Sequence, residues 1–392
     1  MTQVGIRGAA AREIAFLRRD GWEQTLLIWF PLAVLALLLW LFSNSVPAGL
    51  AIAWVDEDHS ADSRNLALRI AAMRSVAVVA TPLTLEQSWS AVRRGEVYAV
   101  VHVPPGWQRE RLRGTPLPVV VYENLQYNLG IGLVSKDVGA AVRSLGAERV
   151  LGAETRFGGG GVESAEVRAG ALQLDARTLF NPALSYEAFL AGMMAGAMLH
   201  LFAVIGAVSA LGREFRDRSV PDWLASGGGS LWRALLGKLL PLLLLYLLFG
   251  LLVVATLGGW RGWGVAGSLV LWILALWTLL LVALAIGLLL VGLTANLRVA
   301  LSVTGFYVAT ALAFSGFSFP RASMSAAAQG WSALLPFTHY LPLQQGQWLA
   351  GASAASWVQG MLPLLAFLAV FVALGYPTLR RNSRLPAKWG KR

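Results

Sequence analysis

Five residues well suited to chemistry crowd into one short stretch: Asp56, Glu57, Asp58, His59 and Asp62. Their carboxylate oxygens could hold a divalent cation. Aspartates between a strand-like run and a helix can equally cap backbone N–H groups, and the spacing lacks the glycine and terminal glutamate of a calcium loop, which favours capping. His200 stands in the middle of a long apolar run, where an ionisable side chain lines a path, carries a proton or bonds a neighbouring helix. The four histidines, at 59, 102, 200 and 339, are too scattered for a local metal motif. With no cysteine in the chain, disulfides, thiolate catalysis and Cys-ligated metal centres are excluded. No Ser/His/Asp arrangement or nucleophile elbow occurs, so no residue is assigned a catalytic role. Gly237-Lys238 is followed by Leu239 and lacks the upstream glycine of a phosphate-cradling loop, so the chain carries no such loop of its own.

A second charged stretch runs from Arg213 through Glu214, Phe215, Arg216, Asp217 and Arg218 to Trp223 and Leu224. Basic residues alone would serve to anchor a membrane helix. Carboxylates and a tryptophan beside them favour a docking surface for another protein, with an exposed Trp223 as part of it. Gly227-Gly228-Gly229 separates this stretch from the next helical piece.

These groups sit in a chain with little water-soluble character. Of 392 residues, 56% are hydrophobic and only 14% charged, against about 25% charged in a soluble protein. Six runs lack Asp, Glu, Lys and Arg: 24–55, 188–212, 239–260, 262–297, 299–320 and 322–379. Each exceeds the roughly 20 residues needed to cross a bilayer, and many of the 16 tryptophans flank them. The expected fold class is a polytopic α-helical membrane protein with six spans. The first, about Leu26–Phe42, reads as a retained span; a cleavable leader is disfavoured by the acidic residues Glu13, Asp20 and Glu23 before it.

The net charge of +11 is unevenly placed. Residues 45–180 carry fourteen basic and fourteen acidic side chains, whereas sixteen of the other eighteen basic residues cluster at positions 7–19, 213–238, 298 and 380–392. The positive-inside rule then puts both termini in the cytoplasm and residues 45–180 outside. Charge so distributed does not form the single basic groove of a nucleic-acid binder, and no nucleic-acid partner is expected.

The expected organisation is a cytoplasmic amphipathic helix over 1–21, a first span over 22–44, an extracytoplasmic α+β domain over 45–180, a five-span membrane domain over 181–379 and a basic cytoplasmic tail over 380–392. Ile6, Ala10, Ile14 and Leu17 recur at helical spacing on the first of these. In the α+β domain, Leu50–Val55, Val76–Ala80, Val97–Val103 and Leu117–Tyr122 read as strands. Thr84 and Gln87 have capping-box spacing for a helix ending near Gly95. A longer helix is expected from Gln126 to about Val150, and a break at Gly158–Gly161. The second span, from Tyr186 to Gly212, is rich in small residues, including Gly192-x-x-x-Gly196, and belongs against another helix. Pro336 and Pro342 break the last uncharged run into half-helices, a re-entrant segment near 318–350 that requires protein or a water-filled cavity around it.

Taken in order, these features resemble an ABC-2 type exporter permease of the subgroup with a large extracytoplasmic domain between spans 1 and 2. The resemblance rests on the strand Ala51–Asp58 with Ser63-Arg64, Arg94-Gly95-Glu96-Val97-Tyr98-Ala99, Pro104-Pro105-Gly106, Leu179-Phe180-Asn181-Pro182, Arg213-Glu214-Phe215-Arg216, Gly237-Lys238, and Ser315-Gly316-Phe317-Ser318-Phe319-Pro320 with Pro336 and Thr338. It departs where Ser219-Val220 stands for the usual Gly-Thr and Gly227–Gly229 for a proline. The resemblance implies a transmembrane subunit, not an enzyme by itself, that moves a drug, lipid-like or other amphipathic compound out of the bacterial cytoplasm or inner membrane. The implied partners are a cytoplasmic ABC ATPase that binds ATP and Mg, a second permease subunit (the same or homologous) and membrane lipids, with room for a periplasmic adaptor. By position, the ATPase contacts would be Ile14, Leu17, Arg213, Glu214, Phe215, Arg216, Asp217, Arg218, Trp223 and Leu224, and the translocation path would include His200, Ser209, Phe317 and Phe319. The alternative is a membrane receptor or assembly scaffold without transport activity, which would call for a cytoplasmic output domain larger than the 13 residues after Leu379.

Overall fold

The computed structural model describes residues 4–43, 48–113, 117–123, 132–145, 185, 187–317 and 319–390. The expected features at Gly158–Gly161, Asn181-Pro182, Tyr186 and Ser318, and both ends of the helix expected from Gln126 to about Val150, lie outside them. The chain divides into two compact units, residues 44–187 and the remainder.

In the larger unit, α1 (Ile6–Arg19) precedes α2 (Gly21–Leu41), the first of six helices among the described residues that are long and apolar enough to cross a membrane. In the smaller unit, β1 (Leu50–Asp56), α3 (Ala61–Ala71), β2 (Val76–Ala80), α4 (Leu85–Arg93), β3 (Ala99–Val103), α5 (Trp107–Leu112), β4 (Val120–Glu123) and α6 (residues 132–145) follow in turn. The larger unit resumes with α7 (Glu187–Arg216), α8 (Val220–Ser226), α9 (Leu231–Trp260), α10 (Leu269–Thr294) and α11 (Leu297–Phe314). Two short helices, α12 (Ala326–Ala333) and α13 (Pro336–Gln345), lead to α14 (Ala354–Ser383).

The sheet has order β2-β1-β3-β4, with β1 parallel to both β2 and β3 and β4 antiparallel at one edge. Parallel neighbours need crossovers of helix length, which α3 and α4 supply. The unit is therefore a layered α/β sheet with three parallel strands, where the sequence leads us to expect an α+β domain. Alternation along β1 sends Ile52 and Trp54 to one core with Leu66, Ile70 and Val138, and Ala53 and Val55 to the other with Ala91 and Val100. The acidic cluster at its end caps backbone. Asp56 accepts from the N–H groups of Asp58 and His59 and from Ser63 Oγ, while Ser60 and Ser63 form a reciprocal capping box on α3. Glu57 turns instead to His102, at 3.0 Å. That hydrogen bond, reinforced by the backbone N–H of Leu85, holds the Glu57 carboxyl below its ordinary range against the partial burial that opposes it.

Among the long helices, α7 and α10 are the inner pair: two-thirds of the most apolar stretch of each is buried, against 17% for α14 and 22% for α2. Small residues on α7, among them Ala203, Ala207 and Ala210, permit this close approach. α14 lies along α10, and α9 lies against α1, α7 and α10.

Candidate functional site

The site begins with a glycine. α1 crosses α9 at Gly237, where an added Cβ would lie 2.4 Å from the Ile6 carbonyl oxygen and 2.6 Å from Ala9 Cβ. Only a residue without a side chain permits that crossing. It turns Gly8, Ala9, Glu13 and Leu17 inward and leaves Ile6 and Ile14 exposed. The buried edge of α1 is thus offset from the apolar stripe marked by periodicity, because small residues and one carboxylate face α9.

The next residue, Lys238, enters a buried network of six charges. Its Nζ donates to Glu13 Oε2 at 2.7 Å and also to Glu214. Glu13 takes a second bond from Arg213, whose other terminal nitrogen lies 3.4 Å from Glu23 Oε2. Ser209 donates to the remaining Glu23 oxygen at 2.7 Å. Glu214 is gripped from the other side by Arg12 in a bidentate pair, 2.6 and 3.0 Å, and by the Ser219 hydroxyl. Three carboxylates face three cations, so the network has no net charge. Burial opposes the charge of Arg12, yet its bonds to Glu214 outweigh that and hold its pKa above the ordinary arginine value. Phe16 lies under the Arg213 guanidinium, 3.9 Å away.

A burial of this kind costs several kcal/mol per ion and is tolerable only when every charge is paired. In return, four elements are tied at one point: α1, the start of α2, the end of α7 and α9. A cavity of about 620 Å³ opens beside the network, lined by Arg12, Phe16, Arg19, Asp20, Asp217 and others.

The ten residues offered to a partner by the sequence reading divide accordingly. Arg213, Glu214, Phe215, Trp223 and Leu17 are buried in the chain's own core. Trp223, expected to be exposed, is 1% exposed and donates its indole N–H to the Ala234 carbonyl at 3.1 Å. Ile14, Arg216, Asp217 and Arg218 are exposed and Leu224 is half-buried. Sequence reasoning missed Glu13, Glu23, Arg12 and Lys238 as site members. The available signal was acidic residues in a segment otherwise basic, and a lysine inside an apolar helix.

The path residues do not meet. Ser209 belongs to the charge network, whereas His200 is buried two and a half turns earlier on α7, its ring stacked 6.4 Å from that of Phe337. Phe317 packs on Phe189 at 4.5 Å, and Phe319 is exposed.

His200 is one end of a seam. Gly192 and Gly196 on α7 face α13 and its continuation: an added Cβ would lie 2.3 Å from the Trp348 ring at the first, and 3.1 Å from Gln344 Oε1 and 3.3 Å from the Tyr340 ring at the second. The Gly-x-x-x-Gly pair therefore receives a short helix of the same chain. Gln347 fastens the far end by accepting from the backbone N–H of Ser268 at 2.9 Å.

The family model described as "ABC-2 family transporter protein" matches residues 22–376, which takes in α2 from its second residue, the inserted sheet unit and all later spans but the end of α14. A search of curated proteins finds no match to the chain. The match covers most of the sequence, and the chain belongs to the ABC-2 family of transporter proteins, as a membrane protein that is a permease component rather than an enzyme by itself.

Proposed function

We propose that this chain is the permease subunit of an ATP-driven exporter in a bacterial inner membrane, with both termini and the charge network on the cytoplasmic side. The sheet unit would then lie outside, and a drug, lipid-like or other amphipathic compound would be the cargo. Family membership implies an ATPase partner. On this reading ATP and Mg reside on that partner, and a second permease subunit completes the pathway.

The observation that carries the proposal is the tie between Glu214 and its partners. The exposed corner Arg216-Asp217-Arg218 continues directly from a residue bonded to α1 through Arg12 and to α9 through Lys238. A partner that displaces this corner must therefore move α1, α7 and α9 together, because parting any one of them would leave a buried charge unpaired. Force applied to one loop becomes a rigid-body movement of three helices. The seam between α7 and α13 is then the place where α7 movement would reach the half-helices.

Reconstitution with the ATPase tests this. Glu214→Gln should leave the ATPase bound while lowering ATP turnover that depends on the permease. Turnover equal to wild type in a folded variant would remove the network from the mechanism.

A further inference from the structure

The helix of the second span ends in a strained corner. Ser219 N–H donates to the Glu214 carbonyl at 3.0 Å and Arg218 N–H lies 3.4 Å from the Phe215 carbonyl, the two bonds of a Schellman stop. The left-handed position in such a stop favours glycine; here it is Arg218, at φ 58°. Of the two bonds, the one to Phe215 is the long one, so the Phe215 carbonyl is open to a second donor.

That donor comes from the segment after the last span. Beyond α14 the chain makes a single turn at Pro386–Lys388 and returns to the corner. Gly390 N–H donates to the Phe215 carbonyl at 2.7 Å, the shortest bond this carbonyl receives. Gly390 itself is left-handed, at φ 78°, and an added Cβ would lie 2.4 Å from Arg218 Nε. The Arg218 side chain thus lies directly over the Gly390 backbone, where a side chain at position 390 would be strained by its φ and would have to push the guanidinium aside. Trp389 packs its ring against the main core beside it.

We infer that residues 385–390 are part of the ATPase-docking surface: they pin the corner in the shape that presents Arg216, Asp217 and Arg218, and they carry Lys388 two residues before the Gly390 contact. The inference rests on the exporter reading for the partner's identity. The contacts that pin the corner do not depend on it. Gly390 and Trp389 act as positioning residues, and the alternating charges of the corner suit a soluble subunit with complementary charges, not a uniformly anionic lipid surface.

The test uses the full chain and its ATPase in detergent. Gly390→Val combined with Trp389→Ala should speed amide exchange at 216–219 and weaken ATPase capture about tenfold, the scale of one lost hydrogen bond and a displaced contact, while the melting temperature of the spans stays near wild type. Should that double variant fold poorly, Gly390→Ala with Lys388→Glu should weaken capture in the same direction. Capture equal to wild type in a folded variant overturns the inference and leaves the exporter reading standing. If the wild-type chain itself captures no ATPase, the exporter reading falls, and the docking role of 385–390 falls with it.

Discussion

Lys238, on the third membrane helix, donates to Glu13 of the N-terminal helix across 2.7 Å, and both side chains are about 1% exposed. Neither residue could hold its charge there alone, so the position of α1 is fixed by electrostatics as much as by packing. Lys238→Met should destabilise the membrane unit by about 3–5 kcal/mol, the usual consequence of orphaning a buried partner. Adding Glu13→Gln should recover part of that loss. Thermal unfolding of the two single variants and the double variant measures the coupling; strictly additive losses would show that the pair does not interact.

Gly237 sets the crossing of α1 on α9. Gly237→Val requires a shift against the Ile6 backbone, which has no flexible end to give way. α1 should lift from the bundle, and protease cleavage within 6–19 should become faster while cleavage elsewhere is unchanged. An α1 as protected as in wild type would show that the crossing tolerates a side chain.

The seam between α7 and α13 makes a parallel prediction at the other end of the second span. Gly192→Leu must displace the Trp348 ring, whereas Gly305→Leu, which meets open space, displaces nothing. Amide exchange over 336–350 should rise in the first and stay unchanged in the second. Equal exchange in both would mean that the glycine stripe is not what holds the half-helix.

Acid should loosen the sheet unit through Glu57. Because the folded-state pKa of Glu57 lies below its ordinary value, the group contributes stability that is complete above the ordinary carboxylate range and is lost as pH falls through the lowered folded value. Glu57→Gln should remove that part of the acid dependence. An unchanged acid limb in the variant would assign the dependence to other groups.

Much of this architecture is legible in the sequence. Uncharged runs mark all six apolar helices, and β-branched runs with their caps mark the four strands nearly to the residue. The charge network is not legible in the same way. Glu13 meets Arg213 and Lys238 at separations of 200 and 225 residues, so no local pattern joins them, and positive charge beside an apolar run reads first as a topological anchor. The buried edge of α1 is likewise hidden, because Gly8, Ala9 and Glu13 carry too little hydrophobicity to register as a core face. Trp223 reads as exposed only because its neighbours are charged; its ring is covered by the helix it precedes.

On the exporter reading, the exposed corner after the second span receives an ATPase. Capture from native membranes decides it, comparing the wild-type chain with Arg216→Glu combined with Asp217→Lys, two exposed positions of the corner whose exchanged charges can still pair with each other. The wild type should bring down a stoichiometric P-loop ATPase and the variant should lose it, with the fold retained. Wild-type chain that brings down no ATPase, or a folded variant that brings down as much, would contradict it.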